Sequence, residues 1–441
     1  WLDRIGKWSP DAWAPALAAE RLTQLCCHSA MLTRGTDALW RSRLLTSMAR
    51  QTRHLARAAH RAETDFDRLM TALGLSIAGL SLPGCDAPAE RGLELLRREL
   101  RLQIRPDGGH VTRNPSRQLS IVLRLQTVLK ALATRRLPTP SFLKHALARA
   151  AANVQFFRAG DGRLAIFNGG YEDDARAVLA ALEALDPDAV ATGFARHTGF
   201  QRLEAGRALV IADVSAPPSS RRFEGAGSLH FSSGRSRLVV NCGAGAHLSS
   251  DWTKALAQAA AHSTLSAESA AAMALLSAGG AVIHRRAEDE RGQLLEIDRS
   301  FGAPEKSAGR HLRRLFLSPG GDNLRGEDQL IGAPPALAAS WRLRFHLHPS
   351  VKASLARDGR SVILALQNRE GWRFRTNCHV LRLEKSVYCG EGGVPAASEQ
   401  IVLAAGALDD RHEGGRHDGE NRDMPVKWAF RRLDAAAAEA R

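Results

Sequence analysis

The sequence predicts an α+β protein of two domains, a helical domain over residues 1–192 followed by an antiparallel β-sandwich over 193–441. Three observations carry this. Apolar residues recur at three- and four-residue intervals from Trp13 to Leu82, which is helical periodicity. From about Gly193 the texture changes to short β-branched runs separated by Gly, Pro and Ser. Finally, 441 residues with 44% hydrophobic content can fill real cores in a chain of this length.

In the first half the helical series runs through Leu17, Leu22, Leu25, Leu32, Leu39, Leu44, Met48, Leu55, Leu69, Leu73, Ile77 and Leu80, with turns at Gly35, Thr64 and Gly84. Further helices are expected over Ala89–Ile104, Leu119–Ala133, Pro140–Arg158 and Asp174–Leu185. Between the first two of these lies the loop Ile104-Arg-Pro-Asp-Gly-Gly-His-Val-Thr-Arg-Asn-Pro-Ser116. Pro106, Gly108, Gly109 and Pro115 forbid regular helix there. The same loop concentrates Asp107, His110, Arg113 and Asn114, and polar groups on a kinked loop between rigid helices are a common way to build a binding site. A solvated interhelical turn is the plain alternative.

In the second half strands are expected over Arg207–Asp213, Ser228–Ser232, Arg237–Asn241, Ala281–His284, Leu312–Leu317, Trp341–His346, Ser361–Gln367, Gly371–Arg375 and Gln400–Leu403. Short strands at close spacing suggest a sandwich. Residues 408–424, rich in charged residues and Gly, read as a polar, mobile insertion.

The formal charge is +15, with Arg spread along the chain rather than collected in a tail. Such a field attracts a polyanion: nucleic acid, an anionic membrane surface or an acidic polysaccharide. No window approaches the 18 or so apolar residues that a membrane span needs. Six cysteines, Cys26, Cys27, Cys85, Cys242, Cys378 and Cys389, show no C-x-x-C pair and no zinc-finger spacing. They read as buried thiols, with one bridge as the alternative. The start at Trp1 reads as the start of a fragment, so an export signal would lie upstream; the periplasm or cell envelope is the suspected location, with the cytoplasm as the alternative.

Several ordered motifs resemble the heparinase II/III family. In the helical half they are Pro106-Asp-Gly-Gly-His-Val-Thr-Arg-Asn-Pro115 and Phe156-Phe-Arg-Ala-Gly-Asp-Gly-Arg-Leu-Ala-Ile-Phe-Asn-Gly169. In the β half they include Gly199-Phe-Gln-Arg-Leu-Glu-Ala-Gly206, Val240-Asn-Cys-Gly243, Ala261-His-Ser-Thr-Leu265, Asn323-Leu-Arg-Gly-Glu-Asp328, Arg344-Phe-His-Leu-His-Pro349, Gly371-Trp-Arg-Phe-Arg375, Glu384-Lys-Ser-Val-Tyr388 and Val426-Lys-Trp-Ala-Phe430. The resemblance covers nearly the whole chain and implies an incomplete (α/α) toroid followed by a β-sandwich. Two departures stand out. Where relatives carry a His-Asp-Gly-Tyr type element, this chain reads Asp298-Arg-Ser-Phe-Gly-Ala303, and the family's His-Asn-Thr is His262-Ser263-Thr264 here. Some relatives hold a zinc in the β domain, and loss of the His-Asp element argues against one here.

The resemblance implies a lyase that removes the C5 proton beside a uronate carboxylate and expels the 4-linked sugar. That proton is scarcely acidic unless the carboxylate is neutralised by donors placed where charge develops. Asn114, His110 and Arg113 supply amide, imidazole and guanidinium donors within one loop. A general base and acid are also needed, usually Tyr or His in this family. The chain has two tyrosines, Tyr171 and Tyr388. Tyr171, just after Asn168-Gly169-Gly170, is favoured, and an Arg-rich surrounding would lower its pKa. His262 is the best base candidate outside the helical loop. Asn168, Arg344 and Arg375 are candidate substrate contacts, although a solvated face is the plain reading of the arginines. His346 and His348 alternate, so on a strand both face one side, and without a third ligand they are weak metal candidates.

Three readings follow in order. First is a β-eliminating lyase for an acidic, uronate-containing polysaccharide, with no cofactor assigned and a structural zinc as the alternative. Second is a catalytically weakened relative that binds anionic glycans. Nucleic-acid binding ranks last, because the chain has 5% aromatic residues and no helix-turn-helix, RRM or zinc-finger signature.

Overall fold

A computed structural model describes residues 8–186, 190–215, 223–245, 247–278, 280, 282–303, 306–405 and 425–433. The polar segment expected over 408–424 lies outside the described residues. The chain forms two compact units. One takes the chain up to Arg113, then Arg117–Gln155 and Leu179–Val190; the other takes Asn114–Ser116, Phe156–Val178 and everything from Ala191 onward. A cut at residue 192 is therefore too simple, because 114–116 and 156–178 pack with the β unit.

The helical unit is built from α1 (Pro15–Cys27), α2 (Ser29–Leu32), α3 (Ala38–Ala58), α4 (Asp65–Ser81), α5 (Asp86–Gln103), most of α6 (Pro115–Thr134) and α7 (Ser141–Phe157), and the end of α8 (Ala175–Leu182). Helix α4 begins with a capping box: Thr64 accepts from the Asp67 N–H, and the Asp67 carboxylate accepts from the Thr64 N–H. Its central residues from Thr71 to Leu80 are all buried, so it is the core helix of this unit. Gly74 and Gly79 let α1 and α5 approach, since a Cβ there would lie 2.7 Å from Ala19 Cβ and 2.5 Å from Ala89 N respectively. No described helix is long and apolar enough to cross a membrane.

The second unit contains β1 (Phe194–Ala195), β2 (Phe200–Ala205), β3 (Ala208–Asp213), β4 (Leu229–Ser233), β5 (Ser236–Val240), α9 (Ser250–Ala257), β6 (Leu265–Ala267), α10 (Ala270–Ser277), β7 (Val282–Asp289), β8 (Gly292–Ala303), β9 (Lys306–Leu317) and β10 (Asn323–Ile331). It continues with α11 (Pro335–Ser340), β11 (Trp341–Leu347), β12 (Lys352–Leu355), β13 (Ser361–Ala365), β14 (Gly371–Thr376), β15 (Val380–Tyr388), β16 (Ala396–Ala404) and β17 (Val426–Leu433). One sheet has the order β1-β2-β3-β4-β5-β11-β16-β15, with β6 on β11; the other has β12-β13-β14-β17-β10-β9-β8-β7. Inward residues of both, among them Val210, Phe231, Phe345, Leu315, Trp372, Phe374 and Phe430, form one core. Helices α9 and α10 interrupt a half expected to be purely β.

The cysteines are free thiols, but Cys27 is exposed rather than buried. Burial pushes the Cys242 thiol up to about 12.

Candidate active site

The loop after α5 is shaped by its glycine. Gly108 has φ +83°, and a Cβ there would lie 1.9 Å from the Arg149 carbonyl oxygen, so the turn against α7 requires glycine. His110 pairs across the loop with Ile104. Its Nε2 lies 2.8 Å from the acceptor Gln103 Oε1, which places the proton on Nε2; Nδ1 lies 2.8 Å from Thr112 Oγ1 and accepts from it. The ring is 1% exposed, and burial, with the charges of Arg117 and Arg105, lowers its pKa to about 3. His110 is thus a neutral fastener of the loop. Arg113 is buried with φ +57°.

Asn114 sits in the other unit. Its Nδ2 donates to the Asn168 carbonyl at 2.9 Å, and Asn168 itself adopts φ +49°, a conformation asparagine tolerates. The Tyr171 N–H donates to Ser116 Oγ at 2.7 Å, and Ser116 Oγ lies 2.6 Å from Asp173 Oδ2. The segments 114–116 and 168–173 therefore form one hydrogen-bonded corner. The Tyr171 phenol is pushed above its ordinary range by burial and then by Cys389 and Asp173. The expectation that an arginine field would favour phenolate is corrected: its electrostatic neighbours here are a thiol and a carboxyl group.

His262 follows a short helical turn, and its neighbours are tightly held. Ser263 N–H donates to Asn241 Oδ1 at 2.9 Å and Ser263 Oγ to the Val240 carbonyl at 2.6 Å; Thr264 Oγ1 donates to the Ala226 carbonyl at 2.9 Å. Asn241 Nδ2 in turn donates to the Ile166 carbonyl at 2.7 Å, so one amide joins the His262 turn to the segment that leads into Asn168. Phe223 bridges the same gap. A Cβ on Gly169 would lie 2.2 Å from its ring, and its centroid is 6.3 Å from that of His262. The imidazole is 2% exposed, neither nitrogen is hydrogen-bonded to another described residue, and burial lowers its pKa to about 4. Asn114, Asn168, Tyr171 and His262 are thereby linked through shared neighbours within one unit.

A second cluster adjoins this corner. Glu172, 3% exposed, accepts from Tyr388 Oη, from His348 Nε2 at 3.0 Å and from Arg163 Nη1 at 2.8 Å. Burial would raise its carboxyl, but the His348 hydrogen bond, the Arg237 charge and Tyr388 hold it well below the carboxylate range. Burial and then the Glu172 charge push the Tyr388 phenol well above 10. His230 is fully buried on β4, with a pKa of about 3 from burial and then Arg237. Sequence reasoning missed Asp161, Arg163, Glu172 and Arg237. The signal available was position only: Asp161 and Arg163 lie inside the Phe156–Gly169 motif and Glu172 follows the favoured Tyr171, whereas nothing local marked Arg237.

The remaining candidates fall elsewhere. His346 Nε2 donates to the Ala260 carbonyl at 2.9 Å and Nδ1 accepts from Ser386 Oγ at 2.8 Å, whereas His348 bonds Glu172 and Ser350. Each histidine has its own partners, and Asp298, at the altered family element, is ion-paired to Arg310 at 2.8 Å. These residues do not fit a zinc, and no group of three His, Cys, Asp or Glu able to hold a metal occurs among the described residues. Arg344 contacts Ser266 and Gln400 at 3.2 Å each, within its own sheet. Arg375 is exposed on the second sheet, where its neighbour Phe374 faces the core, so it points away from the first sheet and from His262.

The family described as Heparinase II/III-like, C-terminal, matches residues 189–428. The chain belongs to the heparinase II/III-like family. Among curated relatives it is 31% identical to FtsZ-localized protein C of Caulobacter vibrioides over 434 residues, which is 91% of this chain and 73% of that protein. Among solved structures it superposes on heparinase III with a TM-score of 0.70 at 14% identity, covering 98% of this chain and 72% of that one. The heparan sulfate lyase HepC of Pedobacter heparinus gives 0.63 at 14% identity, covering 96% and 68%. These likenesses give the fold: a helical toroid portion followed by an antiparallel β-sandwich, as in heparinase III.

Proposed function

We propose that this heparinase II/III-like protein is a polysaccharide lyase that cleaves an acidic, uronate-containing chain by β-elimination. The observation that carries the proposal is His262, a buried neutral imidazole with two unbonded nitrogens, tied through Asn241 and Phe223 to the corner that holds Asn114 and Tyr171. Neutral imidazole can accept the C5 proton, and a phenol kept protonated can deliver one to the leaving oxygen. Asn114 and Asn168 supply amide groups for the uronate carboxylate. His110, with both nitrogens occupied, has a supporting role in this scheme.

The test is incubation with heparan sulfate, alginate, hyaluronan and bacterial uronate polymers, reading the ultraviolet absorbance of unsaturated uronate ends. Absorbance that rises with the wild type and is lost in His262→Ala supports the proposal. Binding without absorbance on every polymer overturns it.

One observation favours a second reading, a glycan-binding relative with weakened catalysis. Burial holds His262 near pKa 4 and raises Tyr171, so neither group is tuned to neutral pH. The curated relative is named for localisation with FtsZ and not for a lyase activity.

A further inference from the structure

We propose that the outer face of the second sheet is a separate binding surface for an acidic polysaccharide strand, distinct from the His262 site. Its occupant class rests on the reading given under the proposed function; its existence as an anion surface does not.

The surface is a groove of about 530 Å³ across β9, β10, β17 and β14. Strand register generates it. Phe316 pairs with Arg325, Arg325 with Ala429, and Ala429 with Arg375, so these side chains form one row across four strands. Arg325 and Arg375 stand two strands apart, about 10 Å at the usual ~4.8 Å strand spacing. Small Ala429 between them leaves the depression. The next row, Glu296, Arg314, Glu327 and Lys427, balances two cations with two carboxylates, so the net positive charge of the groove lies on the Arg325 and Arg375 row.

The charges are unevenly used. Arg314 is held by Glu296 at 2.8 Å and Glu327 at 2.6 Å, and Lys427 lies 3.9 Å from Glu327. Arg325 and Arg375 are exposed and make no close ion pair among the described residues, although the Arg375 charge is felt by the Asp358 carboxylate. A guanidinium fork matches carboxylate and sulfate geometry, so two such forks at fixed spacing suit a polymer with repeated acidic groups.

The groove's aromatic surface discriminates between occupants. A docked acidic peptide draws most of its affinity from apolar anchors seated in pockets. Here the Phe316 ring is covered by Arg325 at 4.3 Å and Trp428 is 3% exposed, so no such anchor site is open. A glycan needs charge and a shallow polar trough, which this face supplies.

The test compares wild type with the Arg325→Glu/Arg375→Glu double variant, folding being checked by thermal denaturation. Binding to size-fractionated heparin and to alginate is measured by calorimetry at two salt concentrations, with a poly-glutamate peptide, phosphatidylserine vesicles and neutral dextran as comparisons. We expect affinity for the long glycans about tenfold weaker and less salt-sensitive in the variant, the size reached when two exposed cation contacts are reversed. Unchanged glycan binding overturns the proposal. So does a loss confined to poly-glutamate or to vesicles, which would assign the face to an acidic protein or a bilayer. If both proteins lack lyase absorbance while the variant loses long-chain binding, this surface stands and the lyase reading falls.

Discussion

Arg237 clasps Asp161 through two hydrogen bonds, Nε to Oδ2 at 2.7 Å and Nη2 to Oδ1 at 3.0 Å, while its Nη1 donates to the Leu164 carbonyl at 2.8 Å. Arg237 lies on β5 and is 2% exposed, so this pair fastens segment 156–178 to the first sheet. Removing one partner of a buried pair leaves the other charge uncompensated, which costs about 3–5 kcal/mol. Arg237→Met should lower the urea midpoint accordingly; a loss under about 1 kcal/mol would show that the pair contributes little.

Stability should fall as the pH drops below neutrality. Burial holds His110, His230 and His346 near pKa 3 and His262 near 4, against 6.5 for the free side chain. Between those values the unfolded chain binds more protons than the folded one, so the free energy of unfolding, and with it stability, rises with pH from about 3 to about 6.5. Glu172 and Asp161, both lowered from their ordinary values, act in the same direction at the acid end: their contribution is present above the unfolded carboxylate pKa and is lost as pH falls through the folded one. Urea titrations at pH 7 and pH 5 check this, and equal midpoints would count against it.

Tyr171→Phe should preserve folding, because the hydrogen bonds found at this residue use its backbone. If its phenol is the acid, turnover falls about a hundredfold or more. Retained turnover would move the acid role to another group.

His110→Ala leaves Gln103 Oε1 and Thr112 without their partner in a buried loop, a loss of about 1–3 kcal/mol. Activity per folded molecule should persist. Abolished turnover in a fully folded variant would restore His110 to the chemistry.

Gly108→Ala should destabilise by more than about 1 kcal/mol, since its φ of +83° and the Arg149 carbonyl both oppose a Cβ. Thermal denaturation reads this directly.

The order of helices then strands was legible because burial writes its period into the apolar residues: Leu69, Leu73, Ile77 and Leu80 on α4, and Leu209 to Ala212 on β3. Strands β8 and β10 escaped because Gly292–Ala303 and Asn323–Ile331 mix charges with apolar residues, one face being solvated. Helices α9 and α10 are short and were masked by the surrounding strand texture.

The candidate site divides along the same line. Asn114, Asn168, Tyr171 and His262 could be named from local motifs, because turn-forming residues and the family's spacing are properties of the chain itself. The grouping of His110 with the helical unit, the occupied nitrogens of His346, and the placing of Arg375 on an outer face depended on partners far away in sequence. So did the whole Glu172 cluster, since Tyr388 and His348 reach Glu172 from 216 and 176 residues away. Periodicity and turn chemistry are local and therefore readable in sequence; protonation states and shared contacts are set by burial and long-range register, which exist only once the sheets have packed.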